Sequence, residues 1–420
     1  MRLTLETDGP AGGTHQHLIP SNSDVVQFRA GNSPTDGDQG STRRFGKCLL
    51  RHNWFRTANW TGLTKLPDDV ARLFPASQHH QFIQSTGKHL MSHVVLADAN
   101  IDPQKNQLDF DSWKQLGATI TEAACQTEDD LIATCRNARV IIYFGNDLPF
   151  TRRVLLELKE CVLIQRIAVG FDSVDIDTAS RLGIMVANCA GYCDEEVANH
   201  ALALLLACHQ QLGRHHHTVT AGRWQIDNER ITPRLSEQVL GIVGLGRIGS
   251  TLARRAGPLV RSILVCDPYI TNARAQSVGS ELVDLETLLK KSDLISLHCP
   301  LTKETRHLID EQALKLMKPS ASLVNTARGP VIDLDALRYA LESGHLRSAG
   351  LDVLSVEPPP QPLPELLFLP NVIATPHCAA SSPSAKAARW RIGNESIASV
   401  LAGKRPATLV NPQVKPRMEQ

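Results

Sequence analysis

An excess of charge of either sign is missing: 44 lysines and arginines face 43 aspartates and glutamates, for a formal net charge of +1 over 420 residues. No long-range field draws nucleic acid or an acidic membrane surface, so a small anionic substrate needs a local cation. Cysteine pairs at metal or redox spacing are missing as well. Ten cysteines run from Cys48 to Cys378 without a CxxC, and the closest two are Cys189 and Cys193. That argues against a zinc ribbon or a disulfide framework and for reduced thiols in the cytosol. No apolar run approaches the roughly 18 residues needed to span a bilayer; "ALALLLAC" (Ala201–Cys208) suits only a buried helix. A signal-peptide pattern is absent, because Glu6 and Asp8 stand where an apolar stretch should begin, and the same acids weigh against an organellar transit peptide. The expected compartment is the cytoplasm.

What is present is an ordinary globular composition, 42% apolar and 21% charged, on a chain long enough for two or more domains. Residues 1–90 differ from the rest: rich in Gly, Ser, Thr, Asn, Asp and His, they have few periodic apolar positions and are expected to form a poorly ordered extension with no part in the chemistry. Met91 precedes "SHVVLADANID", where Val94–Ala97 reads as the first strand of a domain. Short apolar strands then alternate with helical stretches at Val140–Tyr143, Leu163–Ile167 and Ile184–Ala187, followed by a helix from about Glu195 to Gln211. A second series follows at Val239–Val243, Ile263–Cys266, Leu294–Leu297, Ser322–Val324, Ser348–Val353 and Val372–Ala374. This rhythm predicts an α/β protein with two doubly wound parallel-sheet domains. His215–His217, on the segment between the two series, lack partners at ligand spacing and read as a solvated face; no metal site is expected.

The segment "LGIVGLGRIGSTLARRA" places Gly244, Gly246 and Gly249 in GxGxxG spacing after a strand and at the opening of a helix. The first glycine permits the tight turn, the second a close approach to a pyrophosphate, and the third close packing of helix on strand. Amides at the helix N-terminus then hold the anion. Asp267 ends the next strand, "SILVCDP", at the spacing where a carboxylate accepts hydrogen bonds from an adenosine ribose. It repels a 2′-phosphate and no arginine follows in "DPYI", which favours NAD over NADP.

Three residues follow apolar runs in the second series: Arg328 in "NTARG", Glu357 in "LDVLSVEP" and His377 in "ATPHCAAS". Singly they read equally well as a strand-end ion pair, a turn residue before Pro358, and a core histidine after Pro376. At the carboxyl edge of one sheet, beside a dinucleotide loop, they have the chemistry for reversible oxidation of a hydroxy acid. A guanidinium grips a carboxylate with two prongs, an imidazole exchanges the hydroxyl proton, and a carboxylate on the far ring nitrogen fixes the imidazole tautomer.

These stretches, with "GFDSVDIDTASRLGIMVANCAG", "EEVANHALALLL", "LHCPLTKETRHLI" and "LVNTARGPVIDLDAL", resemble the D-isomer-specific 2-hydroxyacid dehydrogenases from Val94 to Asn411. The resemblance implies a discontinuous, flavodoxin-like substrate domain over residues 91–212, an NAD-binding Rossmann domain over 213–381, and a return segment over 382–415. It assigns catalysis to Arg328, Glu357 and His377. Pyrophosphate contacts fall on the Arg247 and Ile248 backbone, the ribose carboxylate on Asp267, the nicotinamide-amide partner on Asp352, and further cofactor contacts on Cys299, Pro300, Thr305 and Thr326. Val169 and Gly170 become the cradle for the substrate carboxylate, and the helix from Glu195 becomes a homodimer-forming region.

The chain departs from the family pattern at Asn188-Cys189-Ala190-Gly191, where Asn-x-Pro-Gly is usual, and at Asn199, where Glu is usual; both are read as substrate-domain changes bearing on which acid is taken. Glu357 argues against the formate dehydrogenase branch, which has glutamine there. Glyoxylate, hydroxypyruvate and phosphoglycerate are the candidate substrate types. The last needs extra cations, for which Arg152, Arg153 and Arg166 stand near the right part of the sequence, with surface or packing roles as the alternative; no regulatory domain is expected after Asn411, which weighs against it. "QRIAVGFDSVDI" and "DPYI" are also similar to the C-terminal-binding-protein corepressors, so an NADH-sensing protein scaffold is the rival reading, marked by a peptide groove rather than turnover. A phosphite-type enzyme on the same fold is a third.

Overall fold

The computed structural model describes residues 92–98, 107–145, 148–225 and 231–419. The expected extension over residues 1–90 lies outside them. Two sheets, both entirely parallel, organise the rest.

The first sheet has the order β2-β1-β3-β4-β5, built from β1 (Ser92–Leu96), β2 (Ala118–Glu122), β3 (Val140–Tyr143), β4 (Leu163–Arg166) and β5 (Met185–Ala187). Helices α1 (Phe110–Gln115), α2 (Glu128–Cys135), α3 (Arg152–Glu157) and α4 (Ile176–Arg181) connect them. β3 is buried at every position, as a strand covered on both faces must be. The strand order reverses between β1 and β3, and the crevice outside their carboxyl ends is where such a sheet binds ligands. Asp98, Phe144 and Gly145 stand there: the Asp98 carboxylate accepts the amides of Phe144 and Gly145 and ties the two strand ends together.

The second sheet has the order β12-β11-β10-β9-β6-β7-β8, from β6 (Val239–Val243), β7 (Ser262–Cys266), β8 (Glu281–Leu282), β9 (Leu294–Leu297), β10 (Ser322–Asn325), β11 (Ser348–Leu351) and β12 (Val372–Ala374). Its reversal lies between β6 and β9. Preceding it in the chain are α5 (Asp194–His209) and α6 (Leu212–Thr220); within it run α7 (Arg247–Ala256), α8 (Asn272–Gln276), α9 (Leu285–Lys291), α10 (Glu311–Leu316) and α11 (Leu334–Glu342).

α5 buries Val197, Ala201, Leu204, Leu205 and Cys208, the 3–4 spacing of one helix face. Its first turn carries Asp194, Glu195 and Glu196, charges that the positive end of a helix stabilises. Its buried face joins Leu240, Ile242 and Leu252 in the core of the second sheet. The helix grouped with the substrate domain from the sequence therefore packs on the other sheet, as does Asn199, whose Oδ1 accepts Arg255 Nη1 of α7 at 2.6 Å. A division of the lobes before Asp194 fits that packing better than one after residue 212. The helix also ends earlier than expected. Gln211 takes φ +52 and begins α6, on which His215, His216 and His217 are exposed.

α12 (Pro383–Leu401) starts with Pro383 behind Ser382, whose hydroxyl accepts the Ala385 amide. This helix carries Trp390, Ile397 and Val400 into the core of the first sheet beside Val94, Val140 and Leu163. The tail beyond it pairs Leu409 with Ala187, and the buried Asn411 side chain accepts the Val186 amide at 2.9 Å. Two cores, each around one sheet, thus meet along the edge where both switch points open. No helix among the described residues is long and apolar enough to cross a membrane.

Candidate active site

The crevice between the lobes encloses a cavity of about 910 Å³ whose wall takes residues from both sheets. On the second sheet, β6 runs into Gly244 at φ +92; a Cβ there would lie 2.8 Å from the Cys299 nitrogen. Gly246 caps α7, and a Cβ on it would meet nothing within 4 Å, so its backbone faces open space at the cavity wall. Gly249 is forced by contact, since a Cβ would stand 2.2 Å from the Gly244 oxygen. Arg247 and Ile248, the first residues of α7, line the cavity, and Arg247 Nε donates to Asp194 Oδ2 at 2.6 Å.

Asp267 follows β7 and accepts the Leu245 amide on Oδ2 at 2.8 Å and the Tyr269 amide on Oδ1 at 2.9 Å. It braces the glycine loop and is not among the residues that line the cavity. Cys299, Pro300 and Thr326 do line it. The Thr326 hydroxyl is buried without a partner, an orphan polar group at the wall that a bound polar ligand can satisfy. Thr305 turns away: its hydroxyl donates to the Pro300 carbonyl at 2.6 Å inside its own loop. A turn fixed by φ, an open glycine at a helix N-terminus and an orphan hydroxyl fit a dinucleotide pyrophosphate and its nicotinamide end.

Arg328 follows β10 and reaches the first lobe. Its Nε donates to Asp172 Oδ2 at 2.6 Å and its Nη1 to the Ala327 carbonyl at 2.6 Å. Its Nη2 lies against Gly170, where a Cβ would stand 1.3 Å away. Beneath Gly170 sits Arg166, 3% exposed, whose Nε donates to the Gly170 carbonyl at 3.1 Å and whose Nη1 donates to the carbonyls of Phe144 and Gly145. Burial presses the Arg166 guanidinium below its usual range. Asn188 Nδ2 donates to the Val169 carbonyl at 2.7 Å, so the departing Asn188–Gly191 stretch supports this cradle directly. Of the other cations considered from the sequence, Arg153 pairs with Glu128 and Asp129 on the surface, and Arg152 is exposed and away from the cavity.

His377 and Glu357 meet on the same side of the cavity. Nδ1 of His377 lies 2.5 Å from Glu357 Oε2, while Oε1 accepts the Leu354 amide at 2.8 Å. Burial pushes the Glu357 carboxyl upward, but the His377 and Leu354 hydrogen bonds and the charges of His377 and Arg328 outweigh it and hold it below the ordinary value. An ionised Glu357 can only accept, so Nδ1 carries a proton and Nε2 is the nitrogen left to exchange one. His377 takes φ +52, an uncommon conformation for a residue with a side chain. Asp352 fixes it. That buried carboxylate accepts the Cys378 and Ala379 amides and the Thr375 hydroxyl, and its carbonyl accepts the His377 amide at 2.8 Å. His200 joins through Thr375 at 2.9 Å. His200, Asp352 and Cys378 offer ligand atoms within 4.8 Å of one another, yet hydrogen bonds within this network already account for the grouping.

Arg328 and His377 line one cavity and Glu357 stands behind His377. Sequence reasoning did not single out Asp172, Tyr192, Lys386 or Arg389, which line it too. Asp172 lay inside a quoted motif, "GFDSVDID", two residues after Gly170; α12 was read only as a return helix.

The sequence profile of the D-isomer specific 2-hydroxyacid dehydrogenase NAD binding domain matches residues 202–379. A D-3-phosphoglycerate dehydrogenase of Methanocaldococcus jannaschii is 38% identical over 287 residues, 68% of this chain and 54% of that protein; the chain thus spans about half the length of that relative. A glyoxylate reductase of Thermococcus litoralis is 40% identical over 258 residues, 60% of this chain and 77% of the relative. Among solved structures, the D-lactate dehydrogenase from Aquifex aeolicus complexed with NAD and lactic acid superposes with a TM-score of 0.65 at 28% identity, covering 76% of this chain and 99% of that one. With two sheets, one crevice and identity of this extent to a relative covered over most of its length, the chain belongs to the D-isomer-specific 2-hydroxyacid dehydrogenases.

Proposed function

We propose that the protein transfers hydride reversibly between NAD(H) and a small 2-hydroxy or 2-oxo acid. The observation that carries this reading is the His377–Glu357 pair at 2.5 Å on the wall that also holds Arg328. Arg328 Nη2 and the amides at Val169 and Gly170 grip the substrate carboxylate, which fixes carbon 2 and its oxygen at His377. During reduction the His377 Nε2 proton passes to that oxygen; during oxidation Nε2 takes it back. Glu357 holds the ring in the tautomer that makes this possible and stabilises the imidazolium when it forms. The bound nicotinamide supplies or accepts the hydride at carbon 2. Asp352 keeps the His377 loop rigid.

Gly246 and the N-terminus of α7 are the pyrophosphate seat in this reading, with Asp267 and Thr326 towards the two nucleosides. The resting arrangement is a homodimer, for which the exposed Leu212, Val219, Trp224 and Ile231 beyond α5 supply an apolar face. A cytoplasmic setting suits the nine free cysteines among the described residues.

The test is oxidation of NADH by the purified chain offered glyoxylate, hydroxypyruvate, pyruvate, phenylpyruvate and 3-phosphohydroxypyruvate. At least one is expected to turn over, and NADH is expected to outperform NADPH. A well-folded protein that binds NADH and reduces none of them would refute the reading.

A further inference from the structure

The cavity wall carries more positive charge than the proposed chemistry uses. Arg328 is answered by Asp172 and Arg247 by Asp194, and Arg166 is spent on backbone carbonyls. Two cations of α12 remain: Lys386 and Arg389, three residues apart on one helix face. Neither has a carboxylate within ion-pair distance among the described residues. Glu196, the acid nearest the start of that helix, accepts the Ser382 hydroxyl at 2.7 Å instead.

Arg389 is held in place without being neutralised. Its guanidinium carbon stands 4.4 Å from the centre of the Phe144 ring, 5.7 Å from Tyr192 and 5.5 Å from Trp390. Aromatic faces attract a cation and fix its orientation. Its Nε, however, is buried with no acceptor. A buried donor left unmade is costly, and a guanidinium has five N–H donors to satisfy.

Position decides what such a group is for. Arg389 packs on Phe144, the Phe144 carbonyl accepts Arg166, and Arg166 supports Gly170. The cation is therefore on the substrate-cradle wall of the first lobe. Gly170, Lys386 and Arg389 line one cavity, so an acid held at Gly170 in the reading above would have these cations within the same crevice for its other end.

We propose that Arg389, with Lys386, binds a second anionic group on the substrate, so that the preferred oxo acid bears a phosphate ester or a second carboxylate beyond carbon 2. The proposal rests on the hydroxyacid reading above and narrows it. A planar guanidinium caged by rings suits a multi-oxygen anion, and Lys386 at the exposed rim adds attraction without fixed geometry.

The experiment compares kcat/KM for 3-phosphohydroxypyruvate and oxaloacetate with that for hydroxypyruvate and pyruvate, in the full chain and in Arg389→Met, Arg389→Lys and Lys386→Gln. The expected result is a preference for the dianionic acids that falls about tenfold to a hundredfold in Arg389→Met, mostly through KM. Arg389→Lys is expected to recover part of it. Lys386→Gln, at an exposed position that does not threaten the fold, is expected to reduce the preference by a smaller factor that vanishes at high salt. Phosphate and carboxylate sources are separated by which dianion leads. Turnover of neutral-tailed acids with no dianion preference, or a preference untouched by both Arg389→Met and Lys386→Gln, would overturn the proposal and leave the hydroxyacid reading standing. An equal loss on all substrates that tracks weaker NADH binding would reassign these cations to the cofactor and overturn it too. Failure to reduce any oxo acid would end both readings together.

Discussion

Arg328 and Asp172, in loops that follow strands of different sheets, meet at 2.6 Å through a single nitrogen, Nε. Because Nε is taken and Nη1 is turned to the Ala327 carbonyl, the group left facing Gly170 is Nη2. Asp172 thus sets which edge of the guanidinium faces Gly170. Replacing it by asparagine keeps the shape and removes the charge. A charge-assisted hydrogen bond contributes about 1.5–3 kcal/mol, so Asp172→Asn is expected to lower kcat/KM by roughly tenfold to a hundredfold. The change should appear chiefly in KM for the oxo acid, with NADH affinity retained. An unchanged KM in steady-state kinetics would show that Arg328 is oriented without it.

His377 is expected to matter to the rate more than to binding. General acid–base catalysis contributes about 100- to 10,000-fold, so His377→Ala should lower kcat by that order while NADH fluorescence titration gives a dissociation constant close to that of the unmodified protein. The backbone conformation there, φ +52, makes His377→Asn the gentler control, because asparagine tolerates that region better than alanine does.

Glu357 gives a pH dependence whose sign follows from its lowered pKa. Against the upward push of burial, hydrogen bonds from His377 and Leu354 and the charges of His377 and Arg328 hold the carboxyl below its ordinary value of 4.5. A group depressed in the folded state adds stability that is complete above the unfolded value and is lost as pH falls through the folded one. Melting temperatures of the unmodified protein and of Glu357→Gln, taken between about pH 3.5 and 7, should therefore differ most at the neutral end and converge below about 4.5. A constant difference across that range would mean that Glu357 is not held ionised by this site.

Strands buried on both faces were legible because short β-branched runs such as "VIIY" and "VLGIV", alternating with helical stretches, suit a parallel sheet: Val140–Tyr143 and Val239–Val243 are strands between those residues. β2 and β8 were not. "ATITE" has its first residue buried and the rest largely outward, and β8 is two residues long, so neither leaves an apolar run. Both are edge strands, where one neighbour suffices and side chains meet water. At the site, residues at the ends of buried strands could be read off because the strand marks where the chain must emerge. Asp172, Lys386 and Arg389 could not. Asp172 meets its partner Arg328 across the crevice, 156 residues away, and Lys386 and Arg389 reach the cavity because α12 packs on the first sheet; no local pattern encodes such a meeting. The placement of α5 is hidden for a related reason: its apolar face is visible in the sequence, but which of two sheets receives it is not.

Two glycines near Arg328 separate what the site needs from what the fold needs. At Gly170 an added Cβ would overlap Arg328 Nη2 at 1.3 Å. The obstructing atom is the end of a long side chain, which can swing aside at little cost to the fold. At Gly329 an added Cβ would lie 2.0 Å from the Leu354 carbonyl carbon and 2.4 Å from the Ser355 nitrogen, backbone that cannot yield without moving the strand end that carries Glu357. Gly170→Ala is accordingly expected to leave the melting temperature within about 2 °C of the unmodified protein, as a change under 1 kcal/mol would in a domain of this size. Its kcat/KM should fall at least about tenfold, because the guanidinium is pushed from the carboxylate cradle. Gly329→Ala is expected to destabilise by several kcal/mol, the range of overpacking against fixed backbone, with activity lost in proportion to folded protein. Calorimetry beside steady-state kinetics on the two variants separates these outcomes. Should Gly170→Ala retain full activity, substrate would have to be gripped somewhere other than between Arg328 and the Gly170 backbone.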